Sequence, residues 1–137
     1  MTNEEMLEVF GDFDPAQYED EATKRWGETV AYKQSAQRTA RFTKQDWEQI
    51  GQEADAINQR FLALMAADTP AESEAAMEVA EEHRAHLTKW FYDCPKASHA
   101  GLGQMYIADE RFQENIDKAG AGLAGYMAAA IGANSQR

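Results

Sequence analysis

The sequence has 137 residues with 44 % hydrophobic side chains, which predicts one folded domain with a buried core and excludes a globally disordered chain. Thirteen basic and 24 acidic side chains give a formal net charge of −11, which argues against direct contact of this chain with nucleic acid. One cysteine excludes an internal disulfide framework, and no apolar run is long enough to span a membrane. Because the N-terminus also lacks a secretory signal pattern, the expected location is the cytoplasm.

Residues 1–42 combine charge with apolar side chains and predict only short helices. Residues 1–23 carry many acids but no lysine or arginine. Short helices are predicted near residues 3–10, 15–26 and 29–40, and helices of this length are marginal in water unless they dock on something. This part of the chain has enough apolar residues to dock but too little helical strength to fold alone.

From Thr43 onward, apolar residues recur at helical spacing and predict five further helices. The first has a variant capping box at Thr43 and an apolar stripe from Trp47 to Leu64 over about six turns. The boundaries and starts of the others are marked, in chain order, by Thr69-Pro70, Pro95, Asp109 and Leu123. Since no alternating strand pattern occurs, the predicted fold class is all-α.

The histidines offer two candidate sites. His83 and His86 are spaced so that both could face one metal ion, but they complete no known metal-binding frame, and His83 lies on the apolar face of its helix. A structural role is therefore favoured for His83. His99 begins a face that continues with Leu102 and Tyr106, which fits either a haem ligand or a hydrogen-bonded histidine at the edge of a pocket.

Other chemistry has weaker support. Cys94 precedes Pro95 at a predicted helix start, where the helix dipole lowers a thiol pKa, but Asp93 beside it acts in the opposite direction. A free cysteine is more often a small buried hydrophobic residue. No acid–base pair and no activated nucleophile has a recognisable frame, so the sequence predicts neither an enzyme nor a bound cofactor.

Aromatic and methionine side chains concentrate around the helix that follows Pro95, which contains Gly101 and Gly103. A glycine inside a helix costs about 1 kcal/mol relative to alanine, so close packing or a ligand is expected to compensate. This composition favours a helical domain with space beside that helix.

Several motifs occur together along the chain. They are VFGDFDPAQYEDEATKRWGETVAYKQS, FTKQDW, EEHR, YDC, LGQMYIADERF, NID and GLAGYM. Together they resemble the TipA-type antibiotic-recognition domain, the effector domain of a group of MerR-family bacterial regulators, across residues 5–134. The resemblance implies an all-helical, globin-like fold without haem and non-enzymatic binding of thiopeptides such as thiostrepton, or of other bulky hydrophobic antibiotics. It also implies that a DNA-binding half and a coiled coil for dimerisation would lie outside this sequence, unless the domain acts alone by sequestering drug.

The resemblance further implies a lid that folds over the drug, residues 1–42, and a helical drug-binding core, residues 43–137. The predicted ligand-binding residues of the core are Trp90, Tyr92, Cys94, His99, Gly101, Leu102, Met105 and Tyr106. Those of the lid are Phe10, Phe13, Trp26 and Tyr32. In the thiostrepton-binding prototype of the family, a second cysteine bonds to a dehydroalanine of the drug. Its position, seven residues after the YDC cysteine, is Gly101 here, so binding is predicted to be reversible.

Two other functions remain open at the level of sequence. A haem-binding, globin-like sensor would show a Soret band that is lost in His99→Ala. A protein-interaction module would use the acidic N-terminal arm to dock a partner, and residues 1–40 would then become ordered only with that partner.

Overall fold

The computed structural model describes residues 30–137, apart from the side chains of Ala31 and Tyr32. In this range the backbone forms six α-helices and no strand, which confirms the predicted all-α class. The helices are α1 (Val30–Thr39), α2 (Lys44–Ala66), α3 (Glu74–Trp90), α4 (Lys96–Ala108), α5 (Glu110–Asp117) and α6 (Leu123–Ser135). The helices predicted near residues 3–10 and 15–26 lie outside the described residues. None of α1 to α6 has both the length and the apolar character needed to cross a membrane.

The helix boundaries follow from local side-chain chemistry. Thr43 Oγ1 accepts a hydrogen bond from the Asp46 N–H at 3.2 Å, and the Asp46 carboxylate accepts one from the Thr43 N–H at 2.9 Å. This is a complete capping box at the start of α2. The Asp109 carboxylate accepts from the Arg111 N–H at 2.9 Å and so caps α5. After α2 the chain turns through Asp68, whose φ of 55° lies in the left-handed region.

The residues group into two compact units. Of the described residues, the first unit contains 30–53 and Leu87–Asp93, and the second contains Ala54–His86 and Cys94–Arg137. Helices α2 and α3 each contribute residues to both units. The predicted division at residue 42 concerns ordering by a ligand and stays a prediction.

The second unit is built around an aliphatic core with one phenylalanine. Its buried members are Ile57, Phe61, Ala76, Val79, Ala80, Leu123, Met127, Ala130 and Ile131. The Phe61 ring lies 6.0 Å from the Tyr126 ring, whose hydroxyl donates to the Thr69 carbonyl at 2.9 Å. These positions lie on the apolar faces of α2, α3 and α6, so burial of those faces organises the unit.

The two glycines of α4 have different surroundings. A Cβ at Gly103 would lie 3.2 Å from Ile131 Cγ2, so the absence of a side chain permits α4 to approach α6 closely. A Cβ at Gly101 would meet nothing within 4 Å, and Gly101 is exposed. Close packing therefore explains Gly103 but not Gly101.

Candidate functional site

Four rings of the first unit, Phe42, Trp47, Trp90 and Phe91, form what we call the aromatic cluster. The Phe42 ring meets the other three edge-on, with centroids 5.3 Å from Trp47, 5.7 Å from Trp90 and 6.4 Å from Phe91. Edge-to-face contacts at such distances are favourable for aromatic rings. All four side chains are only half-buried, so the cluster retains apolar surface that is open to solvent.

The polar edge of Trp90 is held by Glu53. The Trp90 Nε1–H donates to the Glu53 carboxylate at 2.8 Å, and Lys89 Nζ lies 3.2 Å from the same carboxylate and 4.8 Å from the Trp90 ring centroid. Burial raises the pKa of Glu53, but hydrogen bonds from Trp90, Gln49 and Lys89 outweigh it and lower the pKa to about 2. An ionised Glu53 therefore fixes the indole orientation at neutral pH.

Helix α1 contacts the C-terminal end of α3 through two polar side chains. Arg38 Nη1 donates to the Thr88 carbonyl at 2.7 Å, and Arg38 Nη2 donates to the Asp93 carboxylate at 3.3 Å. The Asp93 backbone N–H donates to Gln34 Oε1 at 3.0 Å. Asp93 belongs to the YDC motif, so α1 is connected directly to that motif within the first unit.

In the second unit, His83 and His99 form a hydrogen-bonded pair. His83 Nδ1 and His99 Nε2 are 2.8 Å apart, and the ring of Tyr106 meets His83 edge-on at 6.2 Å. One of the two nitrogens must donate its proton and the other must accept it, so at least one ring is neutral. Burial lowers the pKa of His83 to about 3, with added repulsion from His99 and His86. This geometry agrees with the structural role expected for His83.

Burial also sets the state of His99. Its side chain is 1 % exposed, and desolvation lowers its pKa to about 4, with a further contribution from the nearby Arg84 charge. His99 is therefore neutral at pH 7, and its Nε2 is hydrogen-bonded to His83 Nδ1. Among residues 30–137, no group of three or more histidine, cysteine, aspartate or glutamate side chains is arranged to hold a metal ion.

A polar network next to this pair fixes the start of α4. Arg84 pairs with the Glu81 carboxylate and donates to the Cys94 carbonyl at 2.9 Å, while Asn134 Nδ2 donates to Glu81 at 3.0 Å. The hydrogen bond from Arg84 lowers the pKa of Glu81 to about 2, so the network is charged at neutral pH. Cys94 is 2 % exposed and takes the position of a small buried hydrophobic residue.

The remaining predicted ligand-binding residues of α4 are not fully buried. Gly101 is exposed, and Leu102, Met105 and Tyr106 are half-buried, whereas Gly103 is buried against α6. The spacing of four residues from Gly101 to Met105 and from Leu102 to Tyr106 places each pair on one helical face. Leu102 and Met105 keep part of their surface exposed, as does Tyr106, which also packs against the core of the second unit.

The other predicted site residues have separate positions. Trp90 and Tyr92 are half-buried in the first unit, and Trp90 belongs to the aromatic cluster. Tyr32 is described only through its backbone, in α1. Phe10, Phe13 and Trp26 lie outside the described residues.

Sequence reasoning did not connect Phe42, Trp47 and Glu53 with Trp90. A signal for the first two was present, because Phe42 precedes the capping residue Thr43 and Trp47 is the fourth residue of the helix. Apolar residues at these two positions form a hydrophobic staple, which is the contact observed at 5.3 Å. Glu53 carries no comparable signal, because its partner Trp90 is 37 positions away in the chain.

Comparison with known proteins gives a consistent result. The sequence model of the TipAS antibiotic-recognition domain matches residues 18–134. The HTH-type transcriptional activator TipA of Streptomyces coelicolor is 55 % identical over 137 residues, which cover 100 % of this chain and 54 % of that protein. The HTH-type transcriptional activator mta of Bacillus subtilis is 36 % identical over 115 residues, covering 83 % of this chain and 43 % of that protein. The chain thus spans about half the length of these relatives.

Solved structures agree with the sequence comparison. TipAS of Streptomyces lividans in complex with nosiheptide, from a thiopeptide antibiotic multidrug resistance system, has a TM-score of 0.94 and 55 % identity, covering 100 % of this chain and 96 % of that chain. The antibiotic-binding domain of a TipA-class multidrug resistance transcriptional regulator has a TM-score of 0.61 and 52 % identity, covering 66 % of this chain and 97 % of that chain. The all-α, globin-like fold expected from the motifs is thereby supported. The chain belongs to the TipAS antibiotic-recognition domain family.

Proposed function

We propose that the chain is the effector domain of a drug-responsive transcription regulator and that it binds bulky hydrophobic antibiotics of the thiopeptide class. The observation that carries this proposal is the likeness to TipAS with bound nosiheptide, at 55 % identity over the whole chain with a TM-score of 0.94. In a parent as long as these transcriptional activators, DNA binding and dimerisation would belong to the part that this sequence does not include, whereas a stand-alone form would sequester drug. The proposed compartment is the cytoplasm, where such regulators reach DNA.

The chemistry of the aromatic cluster supports retention of an apolar macrocycle. Thiopeptides present flat heterocyclic rings, and half-buried aromatic faces bind such rings through large apolar contact at little entropic cost. Trp90 suits this role because Glu53 holds its N–H edge and leaves the ring preoriented. We assign ligand contact in the first unit to Trp90 and Tyr92.

On α4 we assign ligand contact to Leu102, Met105 and Tyr106, with Gly101 beside them. Met105 can adapt its shape to different drugs because thioether side chains are flexible and polarisable. His99 and Cys94 are buried, and direct contact with drug would require each of them to become exposed. The proposed lid contacts Phe10, Phe13, Trp26 and Tyr32 remain predictions.

Binding is proposed to be reversible and without catalysis. The position at which the family prototype carries its reactive cysteine is Gly101 here, which is exposed, and a Cβ at this position would meet nothing within 4 Å. A thiol at this position would add to a dehydroalanine double bond, forming an S–C bond while its proton goes to the adjacent carbon. Glycine cannot perform this addition, so the ligand should dissociate intact.

The test is titration of the 137-residue protein with nosiheptide by calorimetry, followed by intact-mass analysis of the same sample. The wild type is expected to bind with no change in its denatured mass, whereas Gly101→Cys should gain the full mass of one ligand. Gly101→Ser is the matched control, because it adds a side chain of similar size without a thiol. Absence of heat and of any adduct in all three proteins would overturn the proposal, and an adduct on the wild type would overturn reversibility.

No observation favours the haem-binding alternative. A haem ligand needs a histidine nitrogen that is free to bind iron, and His99 Nε2 is instead hydrogen-bonded to His83 Nδ1 at 2.8 Å. The interaction-module alternative depends on the acidic arm, which lies outside the described residues.

A further inference from the structure

Helix α1 has an unusual form of attachment. It has 10 residues, fewer than an isolated helix needs for stability in water, which is about 12–15. Among its eight described side chains, none is buried, and Val30 is 72 % exposed. The described part of α1 therefore cannot be held mainly by burial of apolar side chains, and specific polar contacts gain importance.

The polar contacts of α1 are made to the last turn of α3 and to Asp93. At this end the Phe91 and Tyr92 amides both donate to the Leu87 carbonyl, at 2.8 and 3.1 Å. The neighbouring Thr88 carbonyl accepts from Arg38 at 2.7 Å. A cation suits this position because the carbonyl end of a helix carries partial negative charge.

The contacts of Arg38 differ in strength. Its bond to the Thr88 carbonyl is partly buried and charge-assisted, which makes it the stronger one. Its partner Asp93 is 71 % exposed and 3.3 Å away, so that ion pair is screened by solvent and contributes less. Gln34 adds a third contact by accepting from the Asp93 N–H.

We infer that Arg38 is a positioning residue that latches α1 onto the C-terminal end of α3 and thereby holds Phe42 in the aromatic cluster. Two residues separate the end of α1 at Thr39 from Phe42, so the position of the helix constrains that of the ring. Phe42 in turn contacts Trp90, the ring assigned to drug binding. The latch itself rests on geometry, whereas its effect on drug affinity rests on the proposed function.

The latch predicts a specific effect of Arg38→Gln. Loss of a charge-assisted hydrogen bond should lower the ratio of docked to undocked α1 by about tenfold. The apparent affinity for nosiheptide should fall by up to the same factor, because only the docked state presents the complete aromatic cluster. Saturating nosiheptide should restore α1 docking in the variant, which a purely structural defect would not show.

The experiment measures amide hydrogen exchange of α1 and α6 in the full chain, with and without nosiheptide, together with the affinity for that drug. Arg41→Gln is the matched control, since it removes the same charge from an exposed arginine three residues further on. Arg38→Lys should recover part of the effect, because an ammonium can reach one acceptor but cannot fork to two. Asp93→Asn should change α1 exchange by only about twofold, as expected for an exposed ion pair. Exchange of α6 should be the same in all variants.

The outcomes separate the two proposals. If Arg38→Gln matches Arg41→Gln in both exchange and affinity while nosiheptide binds the wild type, the latch is wrong and the proposed function stands. If α1 protection falls in Arg38→Gln but not in Arg41→Gln, and nosiheptide binds neither the wild type nor any variant, the latch stands and the proposed function fails. A wild-type α1 without protection in either condition overturns the latch.

Discussion

In the second unit Phe61, Leu123 and Ile131 are fully shielded from solvent, whereas in the described part of the first unit Ile50 is the only buried side chain. The second unit is therefore stabilised by removal of apolar surface from water, at roughly 25 cal/mol for each Å². The first unit is stabilised by edge-to-face contacts between rings and by charged side chains that remain partly solvated. Regions with few buried apolar contacts open locally at low free-energy cost, which is a property that ligand-binding segments require.

The largest effect is expected when one phenylalanine from each unit is replaced by alanine. Phe61→Ala empties a fully buried position and should lower the free energy of unfolding by about 3–5 kcal/mol. Phe42→Ala removes a half-buried ring and should cost about 1–2 kcal/mol, since less apolar area is involved. Urea unfolding followed by circular dichroism measures both. Equal losses would show that the two units are stabilised in the same way.

Acid provides the second test, because the hydrogen-bonded pair of His83 and His99 belongs to the second unit alone. The folded-state pKa values of His83 and His99 lie below the unfolded value of 6.5, at about 3 and about 4. Between these folded-state pKa values and 6.5, the unfolded state binds more protons than the folded state. The stability that the neutral histidines contribute is therefore present above pH 6.5 and is lost as the pH falls. One pKa unit corresponds to about 1.4 kcal/mol, so a loss on the order of 2 kcal/mol for each histidine is expected between pH 7 and 4.5.

Urea unfolding at pH 7.5, 6.5, 5.5 and 4.5 checks this expectation. The double variant His83→Gln/His99→Gln should show a much flatter profile in that window. The carboxylates Glu53 and Glu81 act in a separate range, because their pKa values fall from 4.5 to about 2 and their contribution is lost only below pH 4.5. A wild-type profile that is flat from pH 7.5 to 4.5 would contradict the buried neutral pair.

The smallest expected effect distinguishes the two glycines of α4. Gly101→Ala should stabilise the protein by about 0.5–1 kcal/mol, because alanine is the better helix former and its methyl group meets nothing within 4 Å. Gly103→Ala should destabilise by about 1 kcal/mol, because its Cβ would lie 3.2 Å from the buried Ile131 side chain. Thermal unfolding of the two variants side by side measures the difference. A stabilising shift in both variants would show that α4 can move away from α6.

The local elements were accessible from the sequence. The five helices predicted from Thr43 onward occur close to the expected positions, because their caps and apolar periodicity depend on neighbours a few residues away. The capping box at Thr43 and the cap at Asp109 are confirmed for the same reason. The motifs were also sufficient to identify the family, since they extend over almost the whole chain.

Contacts between distant residues were decided only by the tertiary structure. No periodicity indicates that Glu53 accepts from Trp90, that Arg38 reaches the end of α3, or that His99 turns inward to His83. The sequence placed His99 and Leu102 on one helical face, but helical spacing does not specify which helix that face meets. It likewise predicted two glycines inside one helix and could not show that Gly103 allows close packing while Gly101 remains exposed. Chain-local chemistry thus determined the elements and the family, and packing between helices determined which side chains remain available to a ligand.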